Sequence, residues 1–221
     1  MMKQMRRKKD LAIEGRTARW YNKNSRKHRL EEMKEYARLV AMDLKPGSAV
    51  LEVAPGPGYL AIELAKLGAY HIVGMDLSKT FVEIARTNAK EAGVVVEFLH
   101  GNVSAIPYPD ETFHAIVCTA AFKNFKDPVK ALTEMKRVLK PGGVVLIVDM
   151  NREVSNEQIG LLTRKMGTRG VEALFLKLTF RYFLKRGAYT KEEFKRLFSQ
   201  TNWGNFYIEE EGIGFRIWLR K

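Results

Sequence analysis

The chain has 221 residues, carries 38 Lys and Arg against 25 Asp and Glu for a formal net charge of +13, and contains one cysteine. That length is enough to bury a proper core in one large domain with an added cap. The single Cys118 excludes an internal disulfide framework and suits a reducing compartment, and no apolar run has the length of a signal core or bilayer span, so a cytoplasmic location is expected.

The charge is unevenly placed. Residues 1–45 hold 14 basic against 6 acidic side chains, residues 46–150 hold 10 against 11, and residues 151–221 hold 14 against 8. The middle of the chain is therefore nearly neutral and the flanks are basic. An anionic substrate, an acidic membrane surface and nucleic acid are all admitted as partners by such flanks, as is a solvated surface that only aids solubility.

In chain order, residues 1–9 read as a basic tail. Residues 12–42 contain Trp20 and Tyr21, and a helical run is expected over residues 30–42. Strands are expected at 49–53, 71–75, 95–99, 115–118 and 144–148, with helices between them at 59–66, 78–92 and 128–138. This alternation predicts an α/β fold with a mostly parallel sheet covered on both faces. Lys140-Pro141-Gly142-Gly143 reads as a turn that stops a helix before the fifth strand. Residues 155–186 lie outside the alternation. If residues 171–185 are helical, Lys177, Arg181 and Lys185 form one basic stripe on an otherwise apolar helix, suited to covering a lipid-like substrate, a membrane or a second copy of the chain, or to packing as a lid on its own domain. Thr190-Lys191-Glu192-Glu193 is a capping box opening a helix to about residue 199. Residues 205–210 and 215–219, split by Gly212-Ile213-Gly214, read as a closing antiparallel pair. The expected organisation is a basic helical cap over 1–45, a core over 46–150, a helical insertion over 151–189 and a closing segment over 190–221.

The most informative stretch is Val50-Leu51-Glu52-Val53-Ala54-Pro55-Gly56-Pro57-Gly58-Tyr59. It joins an apolar strand to a helix through a glycine turn with a carboxylate at its mouth. Gly56 and Gly58 permit positive φ and close approach to a ligand, and the helix from Tyr59 offers a positive N-terminal dipole. A dinucleotide pyrophosphate is disfavoured, because Pro55 and Pro57 remove two amide donors and Glu52 repels phosphate. S-adenosylmethionine (SAM) fits better: its sulfonium and ammonium suit Glu52 and the turn amides can serve the rest. Asp76 follows the second strand about 20 residues after the turn, where nucleotide-binding folds place the acid that accepts ribose hydroxyls. Leu77 is its neighbour. Asn102 and Val103, after the third strand, can read an adenine edge, since an amide both donates and accepts.

Glu52 to Gly58, Asp76, Gly101-Asn102, the run from Ile106 to Val117 and Leu139-Lys140-Pro141-Gly142-Gly143 resemble, in order and spacing, the successive motifs of class I SAM-dependent methyltransferases. Within that class the likeness is strongest to the group containing the ubiquinone and menaquinone C-methyltransferases, and it covers roughly residues 46–150. It implies a Rossmann-like, seven-stranded sheet whose last strand is antiparallel, with an N-terminal helix covering the SAM pocket and a substrate-recognition insertion after the fifth strand. It also implies Glu52, Ala54, Gly56, Gly58, Tyr59, Asp76, Leu77, Asn102, Val103 and Thr119 as the cofactor-binding set. The family's first turn glycine is Ala54 here, a swap that is tolerated if the position does not need positive φ. Lys123-Asn124 stand where many relatives carry a His pair.

The expected activity is methyl transfer from SAM to a small or lipid-like acceptor. Alignment and desolvation can supply much of the catalysis, so the fold demands no particular general base. Tyr21, His28, Lys123, Asp149 and Glu153 are the candidates, with Tyr21 preferred for its place beside Trp20 in the cap. Asp149 and Asn151 resemble two ligands of magnesium-dependent catechol methyltransferases, but a third has no match and no metal is expected. Two alternatives remain open: an RNA or protein methyltransferase using the basic flanks, against which no RNA-binding module is visible, and a SAM-binding regulatory or assembly protein without transfer. A homodimer through the insertion is admitted.

Overall fold

The computed structural model describes residues 12–165 and 185–221, with the side chains of Lys27, His28, Lys165 and Arg186 set aside. The proposed tail at 1–9 and most of the helix over 171–185 lie outside the described residues.

Seven strands form one sheet in the order β3-β2-β1-β4-β5-β7-β6. They are β1 (Ala49–Val53), β2 (His71–Asp76), β3 (Glu97–His100), β4 (Phe113–Thr119), β5 (Leu139–Met150), β6 (Asn205–Glu211) and β7 (Gly214–Arg220). β1 to β5 pair in parallel. β7 runs antiparallel to both β5 and β6, so it alone opposes the rest. The helices are α1 (Gly15–Ala41), α2 (Tyr59–Ala65), α3 (Lys79–Glu91), α4 (Pro128–Val138), α5 (Asn156–Lys165) and α6 (Lys191–Gln200), with single helical turns at Phe122–Asn124 and Lys185–Gly187.

Strand side chains alternate between faces. Val50, Ile72, Ala115, Val117, Val144 and Leu146 pack on one face with Met33, Tyr36 and Val40 of α1 and with α2 and α3. Leu51, Val53, Ile116, Val145 and Ile147 pack on the other with Leu132 and Met135 of α4 and Phe194 and Phe198 of α6. Glu52 falls on the first face by the same alternation, which sends its carboxylate under the start of α2.

Local chemistry explains most element ends. Ser78 caps α3 by accepting from the Phe81 amide, and Asp127 caps α4 by accepting from Lys130 N, with Pro128 in the first turn. The Thr190 capping box is complete: Thr190 Oγ1 accepts from Glu193 N, and Glu193 accepts from Thr190 N. Three expectations are corrected. The N-terminal helix begins at Gly15 rather than near residue 30. β3 starts at Glu97, leaving Val95 on the surface, 93% exposed. Lys140 to Gly143 do not separate α4 from β5. The strand opens directly at Leu139, opposite Phe113, and pairing resumes at Val144 opposite Ala115, with Gly142 at φ +74° turning the detour between them.

Candidate cofactor site

The ends of β1, β2 and β4 meet the starts of α2 and α3 at the carboxyl edge of the sheet, where open α/β sheets bind ligands. The glycine turn lies here. Gly56 has φ +55° and Gly58 φ +78°. A Cβ on Gly56 would meet nothing within 4 Å, so the space before the turn is open, whereas a Cβ on Gly58 would lie 2.8 Å from Phe98 Cζ. The first glycine thus faces open space and the second lets α2 seat against β3. Ala54 takes φ +55°, which overturns the premise that its position does not need positive φ. Ala120, at the end of β4, takes φ +56°. Two strained alanines therefore flank the cleft on adjacent strands, in the setting where such strain tends to collect.

Glu52 is 2% exposed, and Oε2 accepts from Ala61 N at 2.9 Å, inside the first turn of α2. Among the described residues it forms no ion pair. Burial pushes its carboxyl up to about 8, against the opposing pull of the Ala61 amide and the Arg29 guanidinium, while Asp76 adds to the rise. Asp76 is also buried; Oδ2 accepts from Gly56 N at 2.9 Å and Oδ1 from Ser78 N at 2.8 Å. Burial raises its carboxyl, opposed by those two amides. The acid at the end of β2 therefore ties the glycine turn to the cap of α3.

The turn amides are not on offer as the sequence suggested. Ala54 N donates to Met75 O, Gly56 N to Asp76, and Gly58 N to Pro55 O. The turn carbonyls are engaged as well, Pro55 O by Gly58 N, Pro57 O by Asn88 Nδ2 and Gly58 O by Ile62 N, so the charged group at the foot of the turn is the buried Glu52 carboxyl. Asn102 Oδ1 accepts from Ser104 N at 2.9 Å, shaping the loop after β3, while Gly101 N donates to Asp76 O and Val103 is buried behind it. Leu77 is half-buried between Asp76 and the α3 cap. Thr119 is buried, with Oγ1 3.9 Å from Met33 Sδ of α1.

The helix α1 closes over this edge through polar contacts. Tyr59 OH lies 2.6 Å from Asn22 Oδ1 and 2.8 Å from Asn22 O, and donates its one proton to that pair. Asn88 Nδ2 donates to Pro57 O at 2.8 Å and to Asn22 Oδ1 at 3.3 Å. Glu14 accepts from Lys79 N, Thr80 N and the Thr80 hydroxyl, so the residue before α1 holds the start of α3. That hydroxyl is the main reason its carboxyl is lowered. Tyr21 packs edge-on against Phe81, 5.7 Å between centroids, and its hydroxyl accepts from Arg29 Nη1 at 3.1 Å. Asn22, Arg29, Met33, Asn88 and Glu14 were not anticipated. Asn88, an amide of poor helix propensity inside the expected helix at 78–92, carried a signal that could have marked it, whereas Asn22 lies in a stretch with no helix signal of its own.

The remaining base candidates separate clearly. Lys123 Nζ sits 3.0 Å from Asp149 Oδ1 and 2.5 Å from Ala120 O, while Lys123 N donates to Asp149 Oδ2 at 2.8 Å. Both side chains are buried, and this pair braces the ends of β4 and β5. Glu153 is exposed on the loop after β5, and the His28 side chain lies outside the described residues. Asn151 Oδ1 accepts from Glu153 N. Among the described residues no three His, Cys, Asp or Glu side chains converge as a metal site would require.

Residues 51–147 match the model of a methyltransferase domain. Over these residues the chain resembles the SAM-dependent methyltransferases. A demethylmenaquinone methyltransferase of Chlorobaculum tepidum is 33% identical over 135 residues, covering 60% of this chain and 54% of the relative. Another, of Deinococcus radiodurans, is 39% identical over 101 residues, covering 45% and 42%. The chain thus spans about half the length of these curated relatives. A solved methyltransferase-fold structure from Methanococcus maripaludis superposes with a TM-score of 0.76 at 22% identity, covering 96% of this chain and 94% of that one, and shows the shared fold. The glycine turn, Glu52 and Asp76 all fall inside the matched residues.

Proposed function

We propose that the chain transfers a methyl group from SAM to a small, lipid-like acceptor. The observation that carries this reading is Glu52, a buried carboxyl at the foot of the glycine turn that forms no ion pair among the described residues and feels the Arg29 guanidinium only through space. A cofactor bearing sulfonium and ammonium groups supplies the missing charge, and the open space before Gly56 gives it room. When bound, SAM contributes an activated methyl group, so the protein's part is alignment and exclusion of water.

Glu52 and the Ala54 to Gly58 turn hold the methionine end. Asp76, with Leu77 beside it, accepts from ribose hydroxyls through the lone pairs that Gly56 N and Ser78 N leave over. Asn102 and Val103 flank the adenine, and Tyr59 and Thr119 line the sides. The helix α1 covers the cofactor and brings Tyr21 to the acceptor side, its hydroxyl oriented by Arg29. The lipid-like acceptor class is supported by the names of the relatives, which are demethylmenaquinone methyltransferases.

Calorimetric titration with SAM and with S-adenosylhomocysteine, for wild type and Asp76→Ala, tests the cofactor assignment. Wild type is expected to bind both, and the variant to bind about 10-fold or more weakly, as loss of hydrogen bonds to a charged group requires. A folded wild-type protein that binds neither overturns the reading. Label transfer from methyl-labelled SAM to demethylmenaquinone then tests the acceptor. Tight SAM binding with no transfer to any quinone would favour a SAM-binding protein without turnover.

A further inference from the structure

The helix α1 has two faces of opposite character. Its inner side carries Ala18, Tyr21, Asn22, Arg29 and Met33, which meet α2, α3 and the sheet edge. Its outer side carries Arg16, Arg19, Trp20, Lys23 and Arg26, all exposed. At about 100° per residue these five fall within one sector of roughly 120°. No Asp or Glu occurs between Gly15 and Leu30. None of the four cations enters a salt bridge among the described residues.

Trp20 is 62% exposed at one edge of this stripe, and Ile13, just before the helix, is 42% exposed. An indole left in water on a rigid, docked helix is an unusual choice for a free surface. Amid cations it is the composition of an interfacial helix, in which indole settles at the headgroup level while Lys and Arg meet lipid phosphates. Residues 3–9 add Lys3, Arg6, Arg7, Lys8 and Lys9 immediately upstream in sequence.

We propose that the outer face of α1 docks on an anionic lipid bilayer, with Trp20 inserted at the interface and Arg16, Arg19, Lys23 and Arg26 against the headgroups. Charge complementarity selects this occupant. A nucleic acid would use the same cations, but a single-strand binder stacks successive bases on several aromatic side chains, and this face offers one. The inference rests on the lipid-like acceptor reading and deepens it. The inner side of the docked helix is the cover of the cofactor edge, so docking sets that edge beside the bilayer from which an apolar acceptor must come.

The test is flotation of the full chain with vesicles of phosphatidylcholine alone and with roughly one-third phosphatidylglycerol, without SAM or acceptor. Binding is expected to the anionic vesicles only, to weaken as salt rises, and to fall about 100-fold for the triple variant Arg16→Gln/Arg19→Gln/Lys23→Gln. Tryptophan emission should shift to the blue on anionic vesicles in wild type and not in Trp20→Phe. Equal binding to uncharged vesicles, unchanged binding by the triple variant, or retention on single-stranded RNA at protein concentrations below those needed for vesicles would overturn the proposal. The same variants are titrated with SAM, to which they should bind like wild type. Failure of the methyltransferase reading would appear in that titration, and failure of the docking proposal in the vesicles.

Discussion

Replacing Glu52 with Gln removes a buried titratable carboxyl while keeping the shape and an acceptor for Ala61 N. In the folded chain the Glu52 carboxyl titrates at about 8, against an ordinary 4.5. At about 1.36 kcal/mol per tenfold this gap sets an upper limit of about 5 kcal/mol on the cost of holding it ionised, and water entry and relaxation bring the expected figure to about 2–3 kcal/mol. The folded value is raised, so the carboxyl's contribution is fully present below pH 4.5 and is lost as the pH climbs through about 8. The cofactor-free wild type should therefore lose stability relative to Glu52→Gln between those limits, with the difference small at pH 5 and vanishing below pH 4.5. Urea unfolding of both proteins at pH 5, 7 and 9 measures the difference, and taking the difference cancels the histidines common to both. SAM binding inverts the sign, because its cation favours the carboxylate. At pH 7 wild type should release up to one proton per SAM bound, seen as a dependence of binding enthalpy on buffer ionisation, and Glu52→Gln should release none and bind about 10- to 100-fold more weakly. A stability difference that stays constant from pH 5 to pH 9 would refute the reasoning, since the carboxyl would then titrate alike in the folded and unfolded chain.

Three further substitutions probe the frame of the site. Ala54→Gly relieves a residue held at φ +55° and should stabilise the chain by about 0.5–1 kcal/mol in chemical denaturation, after the entropy that glycine costs the folded state. Gly58→Ala combines φ +78° with a Cβ 2.8 Å from Phe98 Cζ and should destabilise by about 2 kcal/mol or more in the same assay. Asp149→Ala takes the carboxylate away from the buried Lys123 ammonium, which keeps Ala120 O, and should cost about 3 kcal/mol, whereas Lys123→Met with Asp149→Leu should recover most of that loss, as measured by thermal unfolding.

What was legible in the sequence is what apolar periodicity and cap chemistry encode. The strand–helix alternation, the closing antiparallel pair and the Thr190 capping box follow from local patterns, and α4 was expected at its observed bounds although the turn read as stopping it, Lys140 to Gly143, falls within β5. The carboxylates at the ends of β1 and β2 were legible as well, because each directly ends or sits within an apolar strand and its environment follows from its register. The first half of α1 was hidden for a physical reason. Residues 15–29 are basic and polar, show no capping box, and are held by Asn22 on Tyr59 and Asn88 and by Glu14 on the start of α3, contacts between residues 37 to 66 positions apart. No local pattern announces a helix whose docking is made of such long-range amide and carboxylate bonds. The Ala54 backbone was hidden for another reason: a glycine-rich turn states that positive φ is needed somewhere, and not at which position. Here it falls on a residue with a Cβ, so part of the turn's geometry is imposed by the Ala54 N to Met75 O and Gly56 N to Asp76 bonds rather than permitted by composition. The same bonds explain why the Ala54, Gly56 and Gly58 amides are closed to a ligand, which leaves the buried Glu52 carboxyl as the ionisable group at the foot of the turn.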